Sequence, residues 1–301
     1  MRLSKSVRVL AASLLALAVV LAVAPAGAEM ITFEPTDPAV YVAGNTVIGV
    51  DGWEDCLFTG LHPQKALVTP VSGGQQTVLE GLQSVSLDGT SVSTTASNRK
   101  AYIQKAFAAG QQFVDGMTIS SEYLVTTPSG TNSTSGGLFL NSKNATYVGG
   151  VVTSHFNAAG VGRLVTNDPN FKVFTSDTEA GVGLFRDTNV AAIVGHKYLL
   201  EMELDFTNGK YMSYYTDLTA EGSRTALTSA PEWFYTRGNT AGTLPPIPVT
   251  PEQLADSGGV SLTSRYGGAM IYDNVNIPEP SAIALLVAGL FGLVAYARRR
   301  R

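Results

Sequence analysis

The segment from 198 to 217 carries the clearest pattern in the chain. Leu200, Met202, Leu204 and Phe206 share one parity, and Glu201, Glu203 and Asp205 share the other. That period of two is expected of a strand with one dry and one wet face. Asn208-Gly209 follows, a pair suited to the positive φ angles of a two-residue type I′ turn. Tyr211, Ser213 and Tyr215 then interleave with Met212 and Tyr214 on the way back. The pattern predicts a β-hairpin. Residues 117–126 alternate in the same way, with Met117, Ile119, Tyr123 and Val125 predicted inside and Thr118, Ser120 and Glu122 outside. Shorter runs at 137–141, 147–156, 163–166, 171–175, 182–186 and 268–277 are separated by Gly, Asn, Asp or Pro. Many short strands between turn residues predict an all-β sandwich or barrel rather than βαβ units. Two segments dissent. Residues 99–109 place Tyr102, Ile103, Ala106 and Phe107 on a helical stripe and fit helix and strand equally. Thr250-Pro251-Glu252-Gln253 has the form of a capping box with Pro at the favoured first position, predicting one or two helical turns.

The two ends follow a different grammar. Arg2, Lys5 and Arg8 precede residues 9–23, which are apolar apart from Ser13. A positive head and an apolar core of that length read as an export signal, short for a spanning helix. Ala26 and Ala28 supply the small side chains at −3 and −1, so signal peptidase is expected to cut after Ala28, leaving 1–28 as signal peptide. At the other end Pro278-Glu279-Pro280 breaks the preceding strand, residues 281–297 carry no charge, and Arg298, Arg299, Arg300 and Arg301 close the sequence. As a helix those uncharged residues span roughly 25 Å, marginally enough for a bilayer core. The arginines hold that end in the cytoplasm and leave the body outside.

This order of Pro-Glu-Pro, short apolar helix and terminal arginines resembles the PEP-CTERM sorting signal of exosortase substrates in Gram-negative bacteria. The resemblance covers 278–301. It implies that an inner-membrane exosortase recognises Pro278, Glu279 and Pro280 and cuts nearby, with Arg298–Arg301 as the retention cluster. The body would then be released or passed to the cell surface or extracellular matrix. A permanent single-pass anchor fits the hydropathy equally well.

Charge narrows the function of residues 29–277. They hold 13 basic and 23 acidic side chains, a net charge of −10. Such a body is ill-suited to nucleic acid or anionic lipid. Cys56 is the sole cysteine, so no intrachain disulfide forms, and its apolar neighbours favour a buried small hydrophobe. The strand pattern, with Ile31-Thr32-Phe33-Glu34 at its opening, the run from Ile48 to Trp53, and Ile271-Tyr272-Asp273-Asn274-Val275 at its close, resembles concanavalin A-like or laminin-G-like jelly rolls. That resemblance implies a jelly-roll β-sandwich in which first and last strands lie near each other. It names no ligand.

Catalytic motifs are largely missing: there is no phosphate loop, nucleophile elbow, C-x-x-C pair or H-E-x-x-H. One cluster offers chemistry. Glu201, Glu203 and Asp205 project from one strand face with neighbours roughly 6.5–7 Å apart, and retaining glycosidases use two carboxyls about 5–5.5 Å apart. Certain jelly-roll glycoside hydrolases carry Glu-x-Asp-x-Glu on such a strand, but here the order is Glu-x-Glu-x-Asp, which puts the shorter Asp205 at the acid/base position. Solvation of an outer face explains the trio more simply. Aromatic faces stack on pyranoses, which makes Trp53, Trp233 and Tyr235 candidate sugar contacts, with Tyr214 and Tyr266 beside them. No metal site is expected. Calcium stays open with no ligands assigned, because no D-x-[DN]-x-[DN]-G loop is present. The reading is an exported, non-catalytic β-sandwich that binds glycan or protein, or serves structurally, at the surface or in the matrix. Signal peptidase and exosortase are its processing partners, the inner membrane holds it before cleavage, and extracellular polysaccharide is the candidate ligand. The alternative is a secreted glycoside hydrolase using the 201–205 carboxylates.

Overall fold

The computed structural model describes residues 28–34, 41–55, 66–70, 83–88, 100–107, 111, 113–126, 135–142, 147–148, 151–152, 156–165, 168–178, 183–235, 249–252, 254, 258–265 and 269–278. Contacts divide the chain into two units, Glu29–Ile277, and Met1–Ala28 together with Pro278–Arg301. Of the latter only Ala28 and Pro278 are described, so Ala26, the 281–297 segment, Glu279, Pro280 and the four terminal arginines lie outside the described residues, as do Cys56 and Tyr266.

In chain order the strands are β1 Ala28–Ile31, β2 Trp53–Asp55, β3 Ala66–Pro70, β4 Gln83–Asp88, β5 Lys100–Ala106, β6 Thr118–Leu124, β7 Ser135–Ser142, β8 Tyr147–Val148, β9 Val151–Val152, β10 Phe156–Arg163, β11 Asn170–Ser176, β12 Gly183–Ala191, β13 Lys197–Asp205, β14 Lys210–Asp217, β15 Thr225–Ala226, β16 Glu232–Trp233, β17 Gly258–Arg265 and β18 Ala269–Pro278. Except for the β8–β9 pair they form one curled sheet, β2-β5-β17-β7-β10-β11-β16-β14-β13-β6-β18-β4-β3, with β1 on β18, β12 on β11 and β15 on β14. Short β16 makes the bend, since Trp233 pairs with Ser176 on one side and with Lys210 on the other. The two halves face each other as the all-β sandwich expected, and the first and last strands are partners.

Strand β13 shows why this sequence takes this form. Tyr198, Leu200, Met202 and Leu204 are buried while Leu199, Glu201, Glu203 and Asp205 keep water contact. Burying each aliphatic side chain contributes about 1.5–3 kcal/mol, and a one-residue slip would reverse every position. Residues 100–106 are a strand, paired along their length with β17. Pro251, Glu252 and Leu254 are helical, as the capping box predicts, and Leu254 N donates to Thr250 O at 3.0 Å.

Core tyrosines tie the halves together. From the β6 and β18 side, Tyr123 donates its hydroxyl to Gly136 O (3.2 Å), and Tyr272 donates to Thr263 O (2.5 Å) and Gly137 O (3.4 Å). From β14, Tyr211 donates to Phe174 O at 2.5 Å. The Asp273-Asn274 pair of the closing strand builds a bulge. Asp273 is buried and accepts from Ser84 Oγ (2.7 Å) and Asn274 N (2.9 Å), while Asn274 adopts φ 44° and the β6 register shifts around it.

Three local expectations need correction. The 147–156 run is not one strand but the β8–β9 hairpin followed by the start of β10. On the outer face of β6, Thr118 and Glu122 keep water contact as expected, but Ser120 is buried, and Leu124 of the same parity packs on its cross-strand partner Ile271. The β13–β14 turn is four residues long, since Asp205 pairs with Lys210. Within it Gly209 takes positive φ (65°) and Asn208 does not.

Candidate functional site

The longer turn is set by carboxylates. Asp205 accepts from Asn208 N (3.0 Å) and Asn208 Nδ2 (2.7 Å). Asp115, from the loop before β6, accepts from Phe206 N (2.7 Å), Thr207 N (3.2 Å) and the Thr207 hydroxyl. The Thr207 hydroxyl bond, with those amides, holds the Asp115 carboxyl below the usual carboxylate range. Asp205 is thus a turn cap, with both oxygens engaged.

Glu201 and Glu203 have another fate. Tyr214 stands opposite Glu201 on β14, and Met212 opposite Glu203. After β14 the chain doubles back through an exposed turn, and β15 pairs with Tyr214 and Tyr215. This return sets Arg224 over the hairpin. Its Nε donates to Glu201 Oε2 at 3.1 Å, its Nη2 donates to Glu203 Oε2 at 3.0 Å, and its guanidinium carbon lies 3.4 Å from the centre of the Tyr214 ring. Partial burial pulls the guanidinium pKa down, but the two carboxylates outweigh it and the net shift is upward.

Beside this cluster lies an open groove of about 510 Å³. Met212, Tyr214 and Pro231 give it apolar walls, and Asp115, Glu203, Asp205 and Asn208 give it polar ones. Its lining contains three carboxylates and no Lys or Arg. An amphipathic groove of this kind can seat a sugar ring, apolar face to apolar wall and hydroxyls to carboxylate and amide oxygens.

The other sequence candidates are dispersed. Trp53 is fully buried, tilted on Phe33 at 5.8 Å, because β2 joins β5 and the preceding turn is tied to β3 by Gly44 N donating to Val68 O. Its ring is core and is not presented to a ligand. Tyr235 is also buried, edge-on to Phe174 at 5.4 Å. Trp233 is half-buried, with the Lys210 ammonium 4.2 Å above its ring. Tyr214 alone of these aromatics lines the groove. Sequence reasoning missed Arg224 and Asp115. Arg224 is an isolated cation in an exposed polar turn, and only its approach to two carboxylates gives it meaning. Among the described residues no group of three His, Cys, Asp or Glu side chains could hold a metal ion, and no helix is long and apolar enough to cross a membrane.

Comparison with known proteins adds one firm result. Residues 276–301 match the PEP-CTERM protein-sorting motif. The chain therefore carries a sorting signal that implies exosortase processing, export, and a surface or extracellular destination. No curated protein matches the sequence. Among solved structures, the chain is similar to lectin II from Ulex europaeus, with 9% identity and TM-score 0.39 over 78% of this chain and 95% of that one. It is also similar to an endo-β-1,4-glucuronan lyase from the fungus Trichoderma reesei, with 11% identity and TM-score 0.39 over 78% and 94% of the two chains. A third is the GlcNAcα1-4Gal-releasing endo-β-galactosidase of Clostridium perfringens, with 9% identity and TM-score 0.42 over 84% and 62%.

Proposed function

We propose that this protein binds an extracellular glycan in the β13–β14 groove without cleaving it, after export and exosortase handling. In this reading signal peptidase removes 1–28, the 281–297 helix holds the intermediate in the inner membrane, and the 29–277 sandwich ends at the cell surface or in the matrix. The observation that carries the non-catalytic assignment is the Arg224 fork. Retaining hydrolysis needs one carboxyl as nucleophile and a second that delivers a proton to the leaving oxygen. Here Glu201 and Glu203 share one guanidinium, and both oxygens of Asp205 accept hydrogen bonds in the turn. All three carboxylates are engaged by the protein's own groups, which supports a non-catalytic reading, and the groove beside them has the amphipathic walls that suit a sugar.

The test is binding of the purified full chain to a glycan array and to the host's own extracellular polysaccharide, with reducing-end release measured in parallel. Binding without product is expected, weakened about tenfold by Asn208→Ala, which removes a groove amide. Release of oligosaccharide that disappears in Glu203→Gln would replace this reading with a glycosidase. Absence of binding to any glycan would leave the sandwich a purely structural element.

A further inference from the structure

Arg224 fills a position that a ligand could take. Its guanidinium covers the face of Tyr214 and satisfies Glu201 and Glu203 together. The Glu201 side chain is only 14% exposed and is paired with this guanidinium. Arg224 itself is 41% exposed and rides on residues 218–226, all of them solvent-facing. The two-residue strand β15 is the main-chain pairing nearest to it. The segment is pinned by Leu218 N donating to Lys197 O and Leu227 N donating to Ser213 O, and from it Arg224 reaches out as an exposed side chain, seated on an aromatic ring beside two carboxylates.

A sugar reaching the Tyr214 ring from the groove has to displace that cation. A neutral sugar would leave the partly buried Glu201 without its counter-charge, a cost that such a sugar does not repay. An anionic sugar would add repulsion from Asp115, Glu203 and Asp205, which the groove lining offsets with no basic residue. A sugar carrying a protonated amine replaces what it removes: charge to Glu201 and Glu203, and a cation–π contact to Tyr214. From this we infer that the groove selects an amine-bearing, de-N-acetylated hexosamine glycan, and that Arg224 is its built-in competitor. This rests on the reading of the groove as a glycan site, and it adds the ligand class and the residue that limits affinity.

The experiment is titration calorimetry of the full chain with a β-1,4-linked glucosamine hexamer, its fully N-acetylated counterpart, and oligolysine as a non-sugar cation. The amine hexamer should bind about tenfold more tightly than the acetylated one and weaken as salt rises. Arg224→Gln should strengthen amine binding severalfold, because the internal cation is gone, and strengthen the acetylated hexamer less, since that sugar brings no charge to Glu201 and Glu203. Glu201→Gln should weaken amine binding about tenfold. Arg224→Lys, which keeps the charge and loses the fork, should fall between wild type and Arg224→Gln, and a thermal midpoint within a few degrees of wild type shows each variant folded. Equal binding of both hexamers with no effect of Arg224→Gln overturns this inference while leaving a glycan site in place. Oligolysine binding as tightly as the amine hexamer overturns it in favour of a basic peptide ligand. Failure of every glycan, on wild type and Arg224→Gln alike, removes the glycan site as well.

Discussion

Raising the pH above 10 should unfold this protein cooperatively, and its core tyrosines set the size of the effect. Burial pushes the phenols of Tyr123, Tyr211 and Tyr272 well above their ordinary value, and that of Tyr198 up to about 12. The hydroxyls of Tyr123, Tyr211 and Tyr272 donate to main-chain carbonyls across the sandwich, and a phenolate cannot donate. A group whose folded pKa lies above its unfolded value near 10 keeps its full contribution below pH 10 and loses it as pH climbs towards the folded pKa. Over that interval the unfolded chain ionises and the folded one does not, at about 1.4 kcal/mol per pH unit for each tyrosine. Four tyrosines remove roughly 5 kcal/mol between pH 9 and pH 11, a large share of the 5–15 kcal/mol typical of a domain. Urea unfolding midpoints at pH 8, 9, 10 and 11, with phenolate absorbance followed in the same samples, measure this directly. Tyr272→Phe should lower stability at pH 8 by about 1–2 kcal/mol, since two carbonyls lose a donor, and should flatten the alkaline slope by about a quarter. A midpoint unchanged to pH 11, or all phenols titrating before the fold is lost, would refute the argument.

Other expectations follow from single contacts. Lys172, 6% exposed, bonds Asp168 (2.5 Å) and Asp187; those hydrogen bonds depress both carboxyl pKa values, so their stabilisation is present above about pH 4 and lost as pH falls further. Lys172→Met should cost about 1–2 kcal/mol at pH 7, because both carboxylates keep water contact, and should shallow the acid limb of the stability profile. A Cβ at Gly160 would lie 2.3 and 2.5 Å from ring carbons of Phe139, so Gly160→Ala should cost about 1–3 kcal/mol and lower the thermal midpoint by several degrees. The sorting motif begins at residue 276, inside β18, where Val275 and Ile277 are core residues. Mass spectrometry of the exported form should therefore find a C-terminus at or beyond residue 278, and a stable folded species ending at 275 would show that the end of β18 is dispensable.

What could be read from the sequence was whatever depends on near neighbours. The alternation of β13 placed Leu200, Met202 and Leu204 inside and the three carboxylates outside, because side-chain direction in a strand depends only on parity. What parity cannot supply is the partner. Asn208-Gly209 has the composition of a two-residue turn, yet the structure makes a four-residue one, because Asp115, about ninety positions earlier, accepts from Phe206 and Thr207. Trp53 follows a glycine-rich turn, as a rim aromatic would, and becomes core because β2 pairs with β5 and its ring meets Phe33, which also packs on Tyr41. The tyrosine hydroxyls that span the sandwich reach carbonyls of Gly136, Gly137, Thr263 and Phe174, and a carbonyl leaves no trace in residue identity. The same limit governs the candidate site. Three carboxylates at spacing two look equivalent along the chain, but Asp205 is claimed by its own turn while Glu201 and Glu203 are claimed by Arg224, which returns to them after the hairpin has closed. Two of the three carboxylates on this face are thus balanced by one guanidinium that no motif marks, and changing Arg224 tests the proposed glycan site more directly than changing any carboxylate the sequence singles out.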